Sequence, residues 1–194
     1  CFSSDKITHV NSEINPLNDL ETIQTEILLS DIDLIQKKLE KSKKKLLSEK
    51  DIEILEQKYK QLEKGEEITI DNQEEKKILS SIGLLCVKPK IIVCNVDEEN
   101  LSGGNQYTQQ IIKKYPNEKT INICADIEDQ ITGLDKSEKE SFMKDIGLNK
   151  TGINKLIKEG YDLLQLNTFF TSGPEESRAW TVKKNTSAPK AASV

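Results

Sequence analysis

Nowhere in the 194 residues is there an apolar run approaching the roughly 20 residues that cross a bilayer, nor a basic-then-apolar leader pattern at the start. A soluble protein is the expectation. Histidine is almost missing, with His9 alone, and the four cysteines, Cys1, Cys86, Cys94 and Cys124, are scattered with no Cys-x-x-Cys pair. A zinc site has too few clustered ligands and a disulfide framework has no spacing pattern, so reduced thiols in the cytoplasm and no metal site are expected. Positive charge is in deficit, 28 Lys and Arg against 33 Asp and Glu for a net charge of -5, which argues against a chain-wide nucleic-acid binder. Hydrophobic residues make up only 35% while 31% are charged, so much of the chain must be solvated surface, which favours exposed helices. The length suffices for one domain or two small ones with a real core. The chain opens at Cys1 without an initiator Met and runs out in "KKNTSAPKAASV", which reads as an excised piece of a longer protein.

What is present is organised by helical periodicity. Leu28, Ile32, Ile35, Leu39, Ser42 and Leu46 alternate spacings of four and three, the seam of a heptad helix, and Ile52, Leu55, Tyr59 and Leu62 repeat it. Ser48 with Asp51 resembles a capping box that starts the second helix. Two narrow seams with a short turn predict an antiparallel coiled-coil hairpin. Between Gln36 and Lys64 it carries ten Lys against six Asp and Glu, a locally basic arm in an acidic chain. Asp71 with Glu74 predicts a third helix running to about Leu85, ended by Lys88-Pro89.

Lys90 to Cys94 then reads as a strand without polar alternation after its first residue, the kind found in parallel sheets covered on both faces. A helix around Tyr107 to Lys114 and a strand at "TINIC", 120–124, complete a βαβ unit of an α/β domain. Helices capped at Asp135 and Glu138 and spanning Ile153 to Leu164 follow. "LNTFF", the Gly173-Pro174 turn and "SRAWTV" read as two strands opening a small β-containing module.

Ligands of open α/β sheets lie beyond the carboxyl ends of the strands. Asn95-Val96-Asp97-Glu98 follows one strand there and Ala125-Asp126 the loop after its neighbour. An Asn amide offers a donor and an acceptor that match the N6 amine and N7 of adenine and could also meet the N7 of guanine. The plainer reading is that Asn95 caps a turn beside a solvated acidic loop. His9 has no nucleophile with a partner near it and reads as a surface or packed histidine. Trp180 and Phe169-Phe170 read as the core of the small module, with stacking on RNA bases as the alternative. The "KKLEKSKKK" face, with Lys41, Lys43, Lys44 and Lys45, is either a solvated helix surface or a grip on a phosphate backbone such as ribosomal RNA.

"CFSSDKITHV", "NPLNDLETIQTEILLSDID", "KPKIIVCNVDE", "GINKLIKEGYDLLQL" and "TFFTSGPEESRAWTV" together resemble the YchF family, the Obg-like ATPases of the translation-factor class of P-loop proteins. The resemblance runs from Cys1 to Val194 in the same order. It implies a nucleotide-binding G-type domain (1–24 and 71–165) interrupted by a coiled-coil arm (25–70) and followed by the start of a TGS domain (166–194). Most GTPases read the base with Asn-Lys-x-Asp. Here Val96 and Glu98 replace the Lys and Asp, and the resemblance implies a preference for ATP over GTP, with Asn95 on the adenine edge and Val96 beside the base. "ICADIE" stands at the second base loop, so Cys124 and Ala125 would line the other side.

A Gly-x-x-x-x-Gly-Lys-Ser/Thr phosphate loop and the Asp-x-x-Gly of the Mg²⁺-binding strand do not occur in these residues. Both are expected upstream of Cys1 in the parent, leaving this chain with the base-reading half, no catalytic residue and no hydrolysis of its own. The resemblance implies a ribosome-associated, ATP-hydrolysing regulatory protein. The alternatives are a non-enzymatic coiled-coil adaptor for RNA or the ribosome, and a parent that binds GTP.

Overall fold

The computed structural model describes residues 1–2, 14–42 and 48–193, and the chain is an α/β protein that divides into two compact units. The helical unit, Asn15–Lys88, is wider than the arm expected at 25–70. Helix α1 (Pro16–Ser42) starts earlier than its seam because Pro16 suits a first helical turn and the Asn15 side chain accepts the Asn18 N–H at 3.2 Å. Helix α2 (Glu49–Glu63) opens with the expected box: Ser48 accepts the Asp51 N–H at 3.2 Å and Asp51 accepts the Ser48 N–H at 3.3 Å.

Helix α3 (Gln73–Ile82) departs from expectation at both ends. Its cap is Asn72, whose side-chain oxygen accepts the N–H groups of Glu74 (3.0 Å) and Glu75 (2.9 Å), and not Asp71, whose own N–H is taken by the Glu75 carboxylate at 3.0 Å. It stops before Leu85 because Gly83 adopts φ +89°, the left-handed turn that ends a helix cheaply only at glycine. Leu28, Ile32, Ile35 and Leu39 of α1 meet Leu55, Tyr59 and Leu62 of α2 and Leu79 of α3 in one apolar cluster. Each fully buried leucine or isoleucine there contributes about 1.5–3 kcal/mol. Leu46 lies outside the described residues.

Three charged residues, Asp31, Lys58 and Glu75, are folded into this unit. The buried Asp31 carboxylate accepts the N–H groups of Leu85 (2.9 Å) and Cys86 (2.7 Å), so the end of the unit is fastened to the middle of α1. The Lys58 ammonium, fully enclosed, lies 3.2 Å from the Glu75 carboxylate and 3.7 Å from that of Asp71. It is held there by charge rather than by an aligned hydrogen bond.

The second unit comprises Cys1–Ile14 and Pro89–Val194. Strands β1 (Ile91–Asn95) and β2 (Lys119–Ile123) are parallel, in register from Ile91 opposite Lys119 to Asn95 opposite Ile123, and helix α4 (Gln106–Lys114) connects them. Ile92, Cys94 and Val96 point into the core with Leu101, Ile111, Ile121 and Ile127. Val93, on the opposite face, is 39% exposed, so the expected burial of β1 on both faces does not hold among the described residues.

Helix α5 (Ala125–Thr132) stands where a loop was read, carried by Ile127 and Ile131 one turn apart. Helix α6 (Lys136–Asp145) has the expected Asp135–Glu138 box, and α7 (Gly152–Leu163) is capped by the buried Thr151. Strands β3 (Leu166–Ser172) and β4 (Ser177–Lys183) form an antiparallel pair with Phe169 opposite Trp180, and the short α8 (Ala188–Ala191) follows. Trp180 is half-buried, donates to Thr171 at 2.8 Å and is covered by the Arg178 guanidinium 5.1 Å from its ring, whereas Phe170 is 79% exposed and no core residue here.

Candidate functional site

The carboxyl ends of β1 and β2 are joined one residue beyond the strands, where the Val96 N–H donates to the Ile123 carbonyl at 2.8 Å. That bond pulls Val96 inward. Its side chain is fully buried in the core, so the expected position beside a base is not the one it occupies, and its part at this edge is played by its backbone.

Asn95 is exposed at the strand end, and its side-chain oxygen accepts the Ala125 N–H at 3.0 Å. Ala125 is the first residue of α5. The first N–H groups of a helix have no partner within it, and Cys124, in the capping position, supplies none from its thiol. Asn95 therefore caps α5 from the neighbouring strand. The bond also fixes the amide: with the oxygen engaged by an N–H, the NH₂ group is the one left to donate, and no partner among the described residues takes it. The sequence reading used both edges of the amide for adenine, but one lone pair of the acceptor edge is already committed to the protein.

Asp97 is turned back on its own loop, accepting from the Asn100 N–H at 3.2 Å and from the Asn100 side-chain amide. Glu98 is exposed, and its carbonyl accepts the Leu101 N–H at 3.2 Å, which closes the turn. The loop ends at Gly104, where φ is +72° and a Cβ would lie 2.3 Å from the Thr108 hydroxyl, so glycine is required there. Ala125 is exposed and Cys124 buried. Burial likewise pushes the Cys94 thiol up from its ordinary range, so it stays protonated at neutral pH. Thus Asn95, Glu98 and Ala125 stand on the surface at this edge, while Val96 and Cys124 back it from the core.

Two residues that sequence reasoning passed over complete the frame. Glu128, in the first turn of α5 and 8% exposed, accepts the N–H of Gly152, the first residue of α7. The signal available was Thr-Gly at the head of an amphipathic stretch, but nothing in the sequence pairs it with a carboxylate 24 residues earlier. Of the basic candidates, Lys41 is exposed in the last turn of α1, and Lys43, Lys44 and Lys45 lie outside the described residues.

Comparison with known proteins meets this geometry along the whole chain. The chain is 36% identical over 207 residues to the protein called ribosome-binding ATPase YchF of Bacillus subtilis (strain 168), covering 100% of this chain and 56% of that protein. It is 34% identical over 201 residues to the protein of the same name of Escherichia coli O157:H7, covering 99% and 55%. The chain belongs to the YchF family. The solved Schizosaccharomyces pombe YchF GTPase superposes with a TM-score of 0.80 at 30% identity, over 98% of this chain and 55% of that one. Residues 166–194 match the family model YchF-GTPase_C, described as a protein of unknown function (DUF933). The chain thus spans about half the length of the YchF relatives it matches. No helix among the described residues is long and apolar enough to cross a membrane.

Proposed function

We propose that these residues form the base-reading portion and helical arm of a cytoplasmic, ribosome-associated P-loop ATPase, with the phosphate- and Mg²⁺-binding residues elsewhere in the full-length gene product. The observation that carries the reading is Asn95, tied by its oxygen to Ala125 and presenting its NH₂ beyond the ends of two parallel strands, three residues before an exposed carboxylate, Glu98. A donated N–H at that point fits a purine N7, an acceptor that adenine and guanine share. ATP is favoured because Glu98 stands in place of the shorter Asp that holds guanine's donors, and because the relatives bear the name ATPase.

In this reading the helical unit is the coiled-coil arm, Lys41, Lys43, Lys44 and Lys45 are its RNA-facing charges, and 166–194 opens a TGS domain. A second reading, GTP, is favoured by the name GTPase that the solved Schizosaccharomyces pombe relative bears, and the N7-directed donor is compatible with either base. Calorimetry on the full-length gene product decides: tighter binding of ATP than of GTP is expected, and the reverse order would overturn the adenine assignment. The 194-residue chain alone should show no hydrolysis and at most millimolar ATP binding, because phosphates and metal provide most of the affinity in this class.

A further inference from the structure

Polar contacts run in series from the base loop to the C-terminal strand pair. The first is the Ala125 N–H donated to Asn95 at 3.0 Å. One turn along α5, the buried Glu128 takes the first N–H of α7 at Gly152. That joint has no slack: a Cβ on Gly152 would lie 2.8 Å from the Ile123 methyl and 2.9 Å from the Glu128 carboxylate, and Ile123 is the residue paired with Asn95. Midway along α7, Glu159 pairs with Lys119 of β2 at 3.1 Å. At its far end the Tyr161 hydroxyl lies 3.3 Å from that of Thr181 in β4, and Asp162 pairs with Lys184 at 2.7 Å. The Lys184 N–H in turn donates to the Gln165 carbonyl at 2.7 Å.

We propose that α5 and α7 act as a lever by which occupancy of the base loop alters the β3–β4 pair, so that nucleotide state is read out on residues 166–183. The proposal rests on the base-loop reading above. A ligand that engages the Asn95 amide changes how that amide holds Ala125, and with it the start of α5. The Glu128–Gly152 contact is buried and close-packed, so yielding there would leave a charge-assisted bond unmade. Displacement passes on to α7 instead, and a 12-residue helix is a rod about 18 Å long whose far end is bonded to the strand pair.

The test is hydrogen–deuterium exchange on the full-length gene product with and without saturating ATP, with binding measured by calorimetry on the same samples. Amides of β3 and β4 should change exchange rate by about 5-fold or more, the lower end of ordinary allosteric coupling. The response should vanish in Glu128→Ala and persist in Glu128→Gln, whose amide oxygen still accepts the Gly152 N–H. ATP binding with unchanged exchange in β3 and β4, or a full response in Glu128→Ala, overturns the lever. Absence of ATP binding overturns the base-loop reading and the lever with it. Should Glu128→Ala fail to fold, Tyr161→Phe with Asp162→Asn asks from the other end: with α7 cut loose from β4 and Lys184, the ATP-induced change of exchange in β3 and β4 should be lost, and a full response overturns the proposal.

Discussion

Asn95 caps α5 with one edge of its amide and, in the proposed function, offers the other to a base; a single pair of substitutions separates the two roles. Its oxygen caps α5 through Ala125, and its NH₂ faces outward. In Asn95→Asp a carboxylate oxygen still accepts the Ala125 N–H, and its charge suits a helix N-terminus, so stability in urea should stay within about 1 kcal/mol of wild type. The outward donor is gone, so nucleotide affinity of the full-length gene product should fall by about 1–3 kcal/mol. Asn95→Ala should lose both, adding roughly 1 kcal/mol of destabilisation for the missing cap. Equal stability losses in the two variants would remove the capping role. Unchanged affinity in Asn95→Asp would remove the base contact.

Among the elements, those that fold by local rules were legible and those fastened from a distance were not. The Ser48–Asp51 box, the Asp135–Glu138 box, the apolar run of β1 and the alternating Ile121 and Ile123 of β2 each announce themselves within a few residues. Helix α5 escaped because its capping position is Cys124 and its real cap, Asn95, lies 30 residues earlier. Gly152 gave no hint that Glu128 would hold it, and Val96 read as a base contact because the backbone bond that turns it inward joins two strands.

A local bond and a more distant charge together set a pH dependence in α3. Glu75 is held below the usual carboxylate range first by the Asp71 N–H and then by the enclosed Lys58. A lowered folded value means that this contribution is complete above the ordinary range near about pH 4.3 and is lost as pH falls through the folded value. Chemical unfolding followed by helix signal from pH 6 to pH 3 should show the wild-type midpoint dropping more steeply than that of Glu75→Gln. Parallel profiles would mean that ionisation of Glu75 adds nothing to the stability of this unit.

For the molecule as a whole, the useful property is that the helical unit and the α/β unit are each compact, so surface charge outside the apolar cluster of the helical unit can be changed while that unit stays folded. The apolar cluster of the helical unit is built from Ile35, Leu55, Leu62, Leu79 and Leu84, and Lys41, exposed in the last turn of α1, does not belong to it. Replacing Lys41, Lys43, Lys44 and Lys45 together with Glu should therefore leave helicity intact and ATP affinity of the full-length gene product unchanged. If those lysines meet phosphates, each contributes through counterion release, and four reversals should lower ribosome co-sedimentation at low salt by about tenfold or more while flattening its salt dependence. A variant with wild-type helicity and undiminished ribosome binding would return the basic stretch between Gln36 and Lys64 to a solvated surface. The ribosomal contact would then have to be sought on the α/β unit, where Arg178 over Trp180 and the exposed Phe170 are the first residues to change.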